Sequence, residues 1–117
     1  MIRNTVHWYS VSQDTGWLDI YPKDEKGAFV RYRVRHNIVY VIFKNIWGIA
    51  AGRYWKAGTL PSDYKPAFSF YSSLAMRQSN NTAMAWVGDD GEVGLYPMAT
   101  LDSDGSNAVS GIVSYPI

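Results

Sequence analysis

The segment Gly58-Thr59-Leu60-Pro61-Ser62-Asp63-Tyr64-Lys65-Pro66 sets the tightest limit on what this chain can fold into. Each of its two prolines fixes φ at about −65° and lacks an N–H donor. Leu60 and Lys65, which precede them, are pushed toward extended geometry. A regular helix is excluded there, and so is a central strand. What remains is a stiff extended connector, with Leu60 and Tyr64 as apolar pegs. Strand-like runs flank it on both sides, so it reads as the crossing between two halves of one β domain.

Charge changes sign at the same place. Residues 1–66 carry ten Lys/Arg and five Asp/Glu, whereas residues 67–117 carry one and five. Such halves attract each other, within one chain or between copies. The net charge of +1 lacks the basic excess that nucleic-acid binding calls for, so no nucleic-acid partner is expected. With 117 residues the chain makes one domain and buries about two-thirds of its unfolded surface. There is no cysteine, hence no disulfide and no thiolate metal site. The longest apolar runs, 38–43 and 46–51, are too short to span a bilayer, so no membrane insertion is expected. No apolar stretch follows the first residues, so no signal peptide is expected. An extracellular destination then calls for another route, such as assembly into a particle released by lysis.

Periodicity gives the elements. In 29–35, Val30, Tyr32 and Val34 alternate with Arg31, Arg33 and Arg35, as in a half-buried strand. The run 38–43 is apolar on both faces and reads as a central strand. His36-Asn37 is then a two-residue turn, although the usual glycine is missing. In 17–21, Trp17, Asp19 and Tyr21 alternate with Leu18 and Ile20. Segment 45–57 reads as a broken edge strand or a loop. Further strands are expected at 67–74, 82–87, 92–98 and 109–115. Asp90-Gly91 predicts a type I′ hairpin turn. Segment 75–81 is a helical turn or a loop, and 6–9 is a short strand or an arm. About eight short strands with no clear helix predict an all-β domain, an antiparallel β-sandwich or β-barrel.

Catalytic signals are weak. The two histidines, His7 and His36, lie near no nucleophile motif, and no catalytic residue is assigned. Asp19, Asp89, Asp102 and Asp104 are of the type a glycan hydrolase uses, but no spacing pairs two of them. Asp89-Asp90 is accounted for by the turn. Asp102-Ser103-Asp104-Gly105 resembles the start of a calcium loop, with the glycine one position early and no later Glu. It reads as a solvated loop; no metal and no cofactor are expected. The Arg31, Arg33 and Arg35 stripe is a solvated face, or it pairs with acidic groups across a subunit interface.

Aromatics carry the functional lead. Trp47, Tyr54 and Trp55 are interleaved with Arg53 and Lys56, and Gly48, Gly52 and Gly58 are near. Flat rings on a loop offer a platform for the apolar face of a sugar, and flanking polar groups bind its hydroxyls. The candidate ligand-binding residues are therefore Trp47, Arg53, Tyr54 and Trp55, with Asp102 and Asp104 from the polar loop. The alternative is that the same rings close one end of the core.

Four motifs in order resemble a known family. They are the Val30–Arg35 and 38–43 hairpin, a Gly58-Thr59-Leu60-Pro61-x-x-Tyr64-Lys65-Pro66 signature, Asp90-Gly91-Glu92-Val93, and a terminal Gly111-x-x-Ser114-Tyr115-x-Ile117. Thr15-Gly16-Trp17-x-x-Ile20 precedes them. Together, over 15–117, they resemble the head domains of receptor-binding, tail-fibre or baseplate proteins of tailed bacteriophages. Asp63 stands where that family commonly has Gly, and Asn37-Ile38 where it has Asn-Gly. The resemblance implies a β-sandwich or β-barrel head on a virion tail tip, usually homotrimeric. Such a head binds a bacterial surface saccharide without catalysis, beside other tail or baseplate proteins. Residues 1–14 would then be an N-terminal arm or shaft connector. Two other roles stay open: a structural tail subunit with no ligand of its own, and a small glycan hydrolase.

Overall fold

The structure, a computed structural model, describes residues 13–117. The expectation for 6–9 lies outside them. Among the described residues eight strands form two four-stranded antiparallel sheets, so the domain is a β-sandwich. The first sheet has β1 (Leu18–Tyr21), β2 (Phe29–Arg35), β3 (Ile38–Ile46) and β8 (Val109–Pro116), in the order β1-β2-β3-β8. The second has β4 (Trp55–Thr59), β5 (Phe70–Ala75), β6 (Thr82–Val87) and β7 (Glu92–Pro97), in the order β4-β7-β6-β5.

Alternation along the strands builds the core between the sheets. From the first sheet come Val30, Tyr32 and Val34, Val39, Val41 and Phe43, and Val113 and Tyr115. Facing them are Leu74, Ala83, Ala85, Val87, Val93 and Leu95. Burying a side chain of this size is worth ~1.5–3 kcal/mol, so this double layer supplies most of the driving force. β3 lies between β2 and β8, as a strand apolar on both faces should. At the sheet edges β1 approaches β4 and β5 approaches β8. A Cβ at Gly58 would lie 2.8 Å from the Ile20 carbonyl oxygen, and one at Gly111 would lie 2.7 Å from Leu74 Cδ2. Gly58 must lack a side chain for its edges to meet, whereas a side chain at Gly111 would push Leu74 aside.

The double-proline connector differs from its expected role. It does not carry the chain between sheets; it joins β4 to β5, the two opposite edges of one sheet. The crossings fall at 47–54 and again at 98–108. The change of charge after Pro66 suggested a halfway point, but strand order is set by pairing partners, not by local composition. Within the connector, Ser62–Tyr64 makes one 3-10 turn, and Lys65 is extended before Pro66 as its neighbour requires. Leu60 is buried, and the Tyr64 ring packs at 5.9 Å from Tyr32. Both pegs are therefore in place.

Two turns exchange types. His36 and Asn37 both have positive φ, 52° and 62°, the type I′ geometry, without any glycine. At the Asp90-Gly91 hairpin only Gly91 is positive, and its N–H bonds to the Gly88 carbonyl at 2.8 Å. Four residues, 88–91, separate β6 from β7, so a type I turn with a left-handed glycine replaces the expected I′ turn. Segment 55–59 is an edge strand with a register shift between Lys56 and Gly58, as a broken edge strand should be, and 77–81 is a loop. In β1 a register shift between Asp19 and Tyr21 breaks the alternation and leaves both Ile20 and Tyr21 against the core.

Candidate functional site

One end of the sandwich is built by the 47–54 crossover, the 22–28 turn and the 98–108 segment. Crossover residues are tied down by backbone bonds. Ile49 and Leu101 exchange bonds of 3.0 and 2.8 Å, and Gly52 N–H reaches the Pro97 carbonyl at 2.9 Å. Gly48 N–H reaches the Asp102 carbonyl at 3.2 Å. A loop so anchored holds its side chains in fixed places.

Trp47 leaves the end of β3 half-buried. Lys26 Nζ lies 3.9 Å from its ring centroid and also donates to the Ser103 carbonyl at 2.7 Å. One lysine thus joins the indole to the acidic loop. Trp47 Nε1 is buried and has no acceptor among the described residues. A buried unpartnered donor costs ~1–3 kcal/mol, so such a group calls for a reason. Trp55 opens β4 and meets Tyr21 edge-on, with centroids 5.2 Å apart. Tyr21, Asp24, Ile46, Trp47, Ile49 and Trp55 are among the residues lining a hollow of about 280 Å³. Asp24 is held rigid there, since its Oδ1 accepts from the Lys26 and Ala28 amides, both at 2.9 Å.

A second hollow of about 390 Å³ lies beside it, lined by Gly48, Ile49, Ala50, Arg53, Tyr54 and Trp55. Gly48, Ile49 and Trp55 line both. Arg53 and Tyr54 are exposed; the Tyr54 ring leans on Tyr96 at 4.5 Å. Asp102 and Asp104 lie in the neighbouring exposed loop. Asp102 Oδ2 accepts from the Ser106 hydroxyl and Asp104 Oδ1 from the Ser106 amide. Hydrogen bonds from Ser106, with the Lys26 charge added, hold the Asp104 carboxyl below its ordinary range. The structure therefore gathers Trp47, Arg53, Tyr54 and Trp55 around two adjoining hollows. It joins the Asp102 and Asp104 loop to them through Lys26, without lining either hollow with those two carboxylates.

Sequence reasoning passed over Tyr21, Asp24, Lys26 and Ile49. Lys26 belongs to a charged turn that looks merely solvated, and Tyr21 reaches Trp55 only because β1 and β4 are adjacent edges. No local signal marks either. Elsewhere, the arginine stripe pairs within the chain: Arg31 with Asp19 at 2.8 Å, and Arg33 at 2.6 Å and Arg35 at 3.9 Å with a shared Asp14. Of the carboxylates a hydrolase would use, Asp19 lies on β1 and Asp89 in the β6–β7 turn, while Asp102 and Asp104 lie together around Ser106 in the exposed loop, lining neither hollow. Among the described residues no three metal-ligating side chains converge, and no helix is long and apolar enough to cross a membrane.

This β-sandwich is similar in fold to a solved phage domain. The structure that carries the comparison is the crystal structure of the head domain of phage bIL170, a lactococcal phage. It superimposes with a TM-score of 0.60 over 86% of this chain and 96% of that one, at 16% identity. At that identity the likeness is one of fold. No family model matches the sequence, and no curated protein does.

Proposed function

We propose that residues 15–117 are the host-recognition head of a phage tail, binding a bacterial cell-surface saccharide without catalysis. Residues 1–14 serve as the arm or shaft connector. The head works as a homotrimer at the virion tail tip, beside other tail or baseplate proteins. The fold of the bIL170 head supports the tail role. Saccharide binding rests on one observation: the hollow lined by the rings of Trp47, Trp55 and Tyr21, with Trp55 and Tyr21 edge-on at 5.2 Å. Those rings take the apolar face of a sugar. Arg53 and Lys26 supply further donors at the rim.

Trp55→Ala tests this directly. The substitution removes the ring that lines both hollows. Saccharide affinity falls about tenfold, the worth of one ring contact. Unchanged binding of cell-wall saccharide in a folded Trp55→Ala protein overturns this placement. The structural-subunit reading predicts a different pattern: Trp55→Ala with Arg53→Ala would break assembly and leave no separable binding defect.

A further inference from the structure

We propose that the bound saccharide continues past Tyr54 onto the outer face of the second sheet, where Trp86, Tyr54, Tyr71 and Glu92 form a second sugar subsite. This rests on the saccharide reading above and adds to it the length and course of the ligand. The subsite is a hollow of about 270 Å³ lined by those four residues.

Its floor is set by backbone. Trp86 on β6 is register partner to Gly94 on β7. A Cβ at Gly94 would lie 2.3 Å from Trp86 Cη2 and 2.4 Å from Cζ2. The indole therefore lies across the neighbouring strand, directly over a position that has no side chain, instead of standing away from the sheet. Its wall is Tyr54, whose ring meets the indole at 76° with centroids 5.5 Å apart. On the other flank Tyr71, register partner of Trp86 on β5, is 64% exposed. Glu92 completes the lining, and Lys56 Nζ sits 3.4 Å from its carboxylate.

A floor and a wall of aromatic rings at near right angles suit a pyranose. The C–H face of the sugar stacks on the indole, and its edge meets the second ring. Hydroxyls at its rim then donate to Glu92 and accept from Lys56. A second copy of the chain fits less well, because the centres of protein interfaces are depleted in charge and here a carboxylate lines the hollow itself. Continuity fixes the course. Tyr54 lines both this hollow and the one shared by Arg53 and Trp55, so adjoining sugars on its two sides make one chain.

The test uses lactococcal cell-wall polysaccharide, hydrolysed and fractionated by length, titrated against the full chain by calorimetry. Wild type binds fragments of three or four sugars more tightly than single sugars. Trp86→Ala loses that gain, about tenfold for one ring contact, and keeps its single-sugar affinity. Tyr71→Ala shows the same direction of loss, and its exposed position keeps the fold safe if Trp86→Ala is unstable. Trp55→Ala weakens binding at every length. If Trp86→Ala and Tyr71→Ala bind the longest fragment as wild type does, the second subsite is wrong while saccharide recognition stands. If both variants leave binding intact but lower the oligomeric state by light scattering, the face belongs to a subunit contact and the proposal falls. Absence of wild-type binding to any fragment overturns the saccharide reading and this extension together.

Discussion

Asp14 shows how much a single side chain decides. Its Oδ1 and Oδ2 accept from the Arg33 guanidinium at 2.9 and 2.6 Å, and Oδ1 also accepts the Gly16 amide. Those bonds, Arg33 first, hold its carboxyl far below the ordinary value of 3.8. A carboxyl depressed on folding contributes stability that is present above its unfolded pKa and lost as pH falls. The thermal midpoint of wild type should therefore drop between about pH 4 and pH 2, and that of Asp14→Asn should drop less. Parallel curves for the two proteins would show that Asp14 gives nothing to the fold. Such pairing was only half legible. Alternation placed the three arginines on one face, but their partners come from β1 and the segment before it, and nothing local points there.

At the scale of elements, the hairpins show what residue pattern can and cannot decide. The two-residue loop between β2 and β3 was readable, because the alternation on each side leaves only His36 and Asn37 unassigned. Its strain was not: two side-chain-bearing residues sit in left-handed geometry, which costs ~1–2 kcal/mol for most residues and less for Asn. Replacing the pair with Asn-Gly (His36→Asn with Asn37→Gly) should stabilise the domain by about 0.5–1 kcal/mol, read from urea midpoints at constant slope. A loss of stability would mean that His36 or Asn37 makes contacts that outweigh the relief. The Asp90-Gly91 signal misled about turn type, because the dipeptide fits both a two-residue loop and the end of a longer one. The double-proline connector was legible as stereochemistry and illegible as topology. Two prolines exclude helix, and buried Leu60 follows from an apolar peg in a stiff segment. That it links the two edges of one sheet depends on β7 and β6 lying between β4 and β5, which local sequence does not encode.

At the scale of the molecule, the site has the same history. Trp47, Arg53, Tyr54 and Trp55 are close in sequence, so their gathering was visible as an aromatic cluster. Lys26, Tyr21 and Trp86 join it only through strand order, and they turn a cluster into two walled hollows and an outer-face corner. Assembly raises the value of such sites. In the proposed trimer the second and third contacts would be intramolecular, and avidity can exceed single-site affinity by ~10²–10⁴. Weak, shallow subsites are then sufficient for adhesion. An adhesion head must hold to the saccharide of an intact wall and let go of a wall that lacks it. The purified protein is sedimented with cell walls from a panel of bacteria, before and after stripping their polysaccharide, and its mass in solution is measured by light scattering. A trimer that co-sediments with intact walls of at least one of them and stays in solution with the stripped ones is the expected result. A monomer that binds no preparation would overturn the proposed adhesion role.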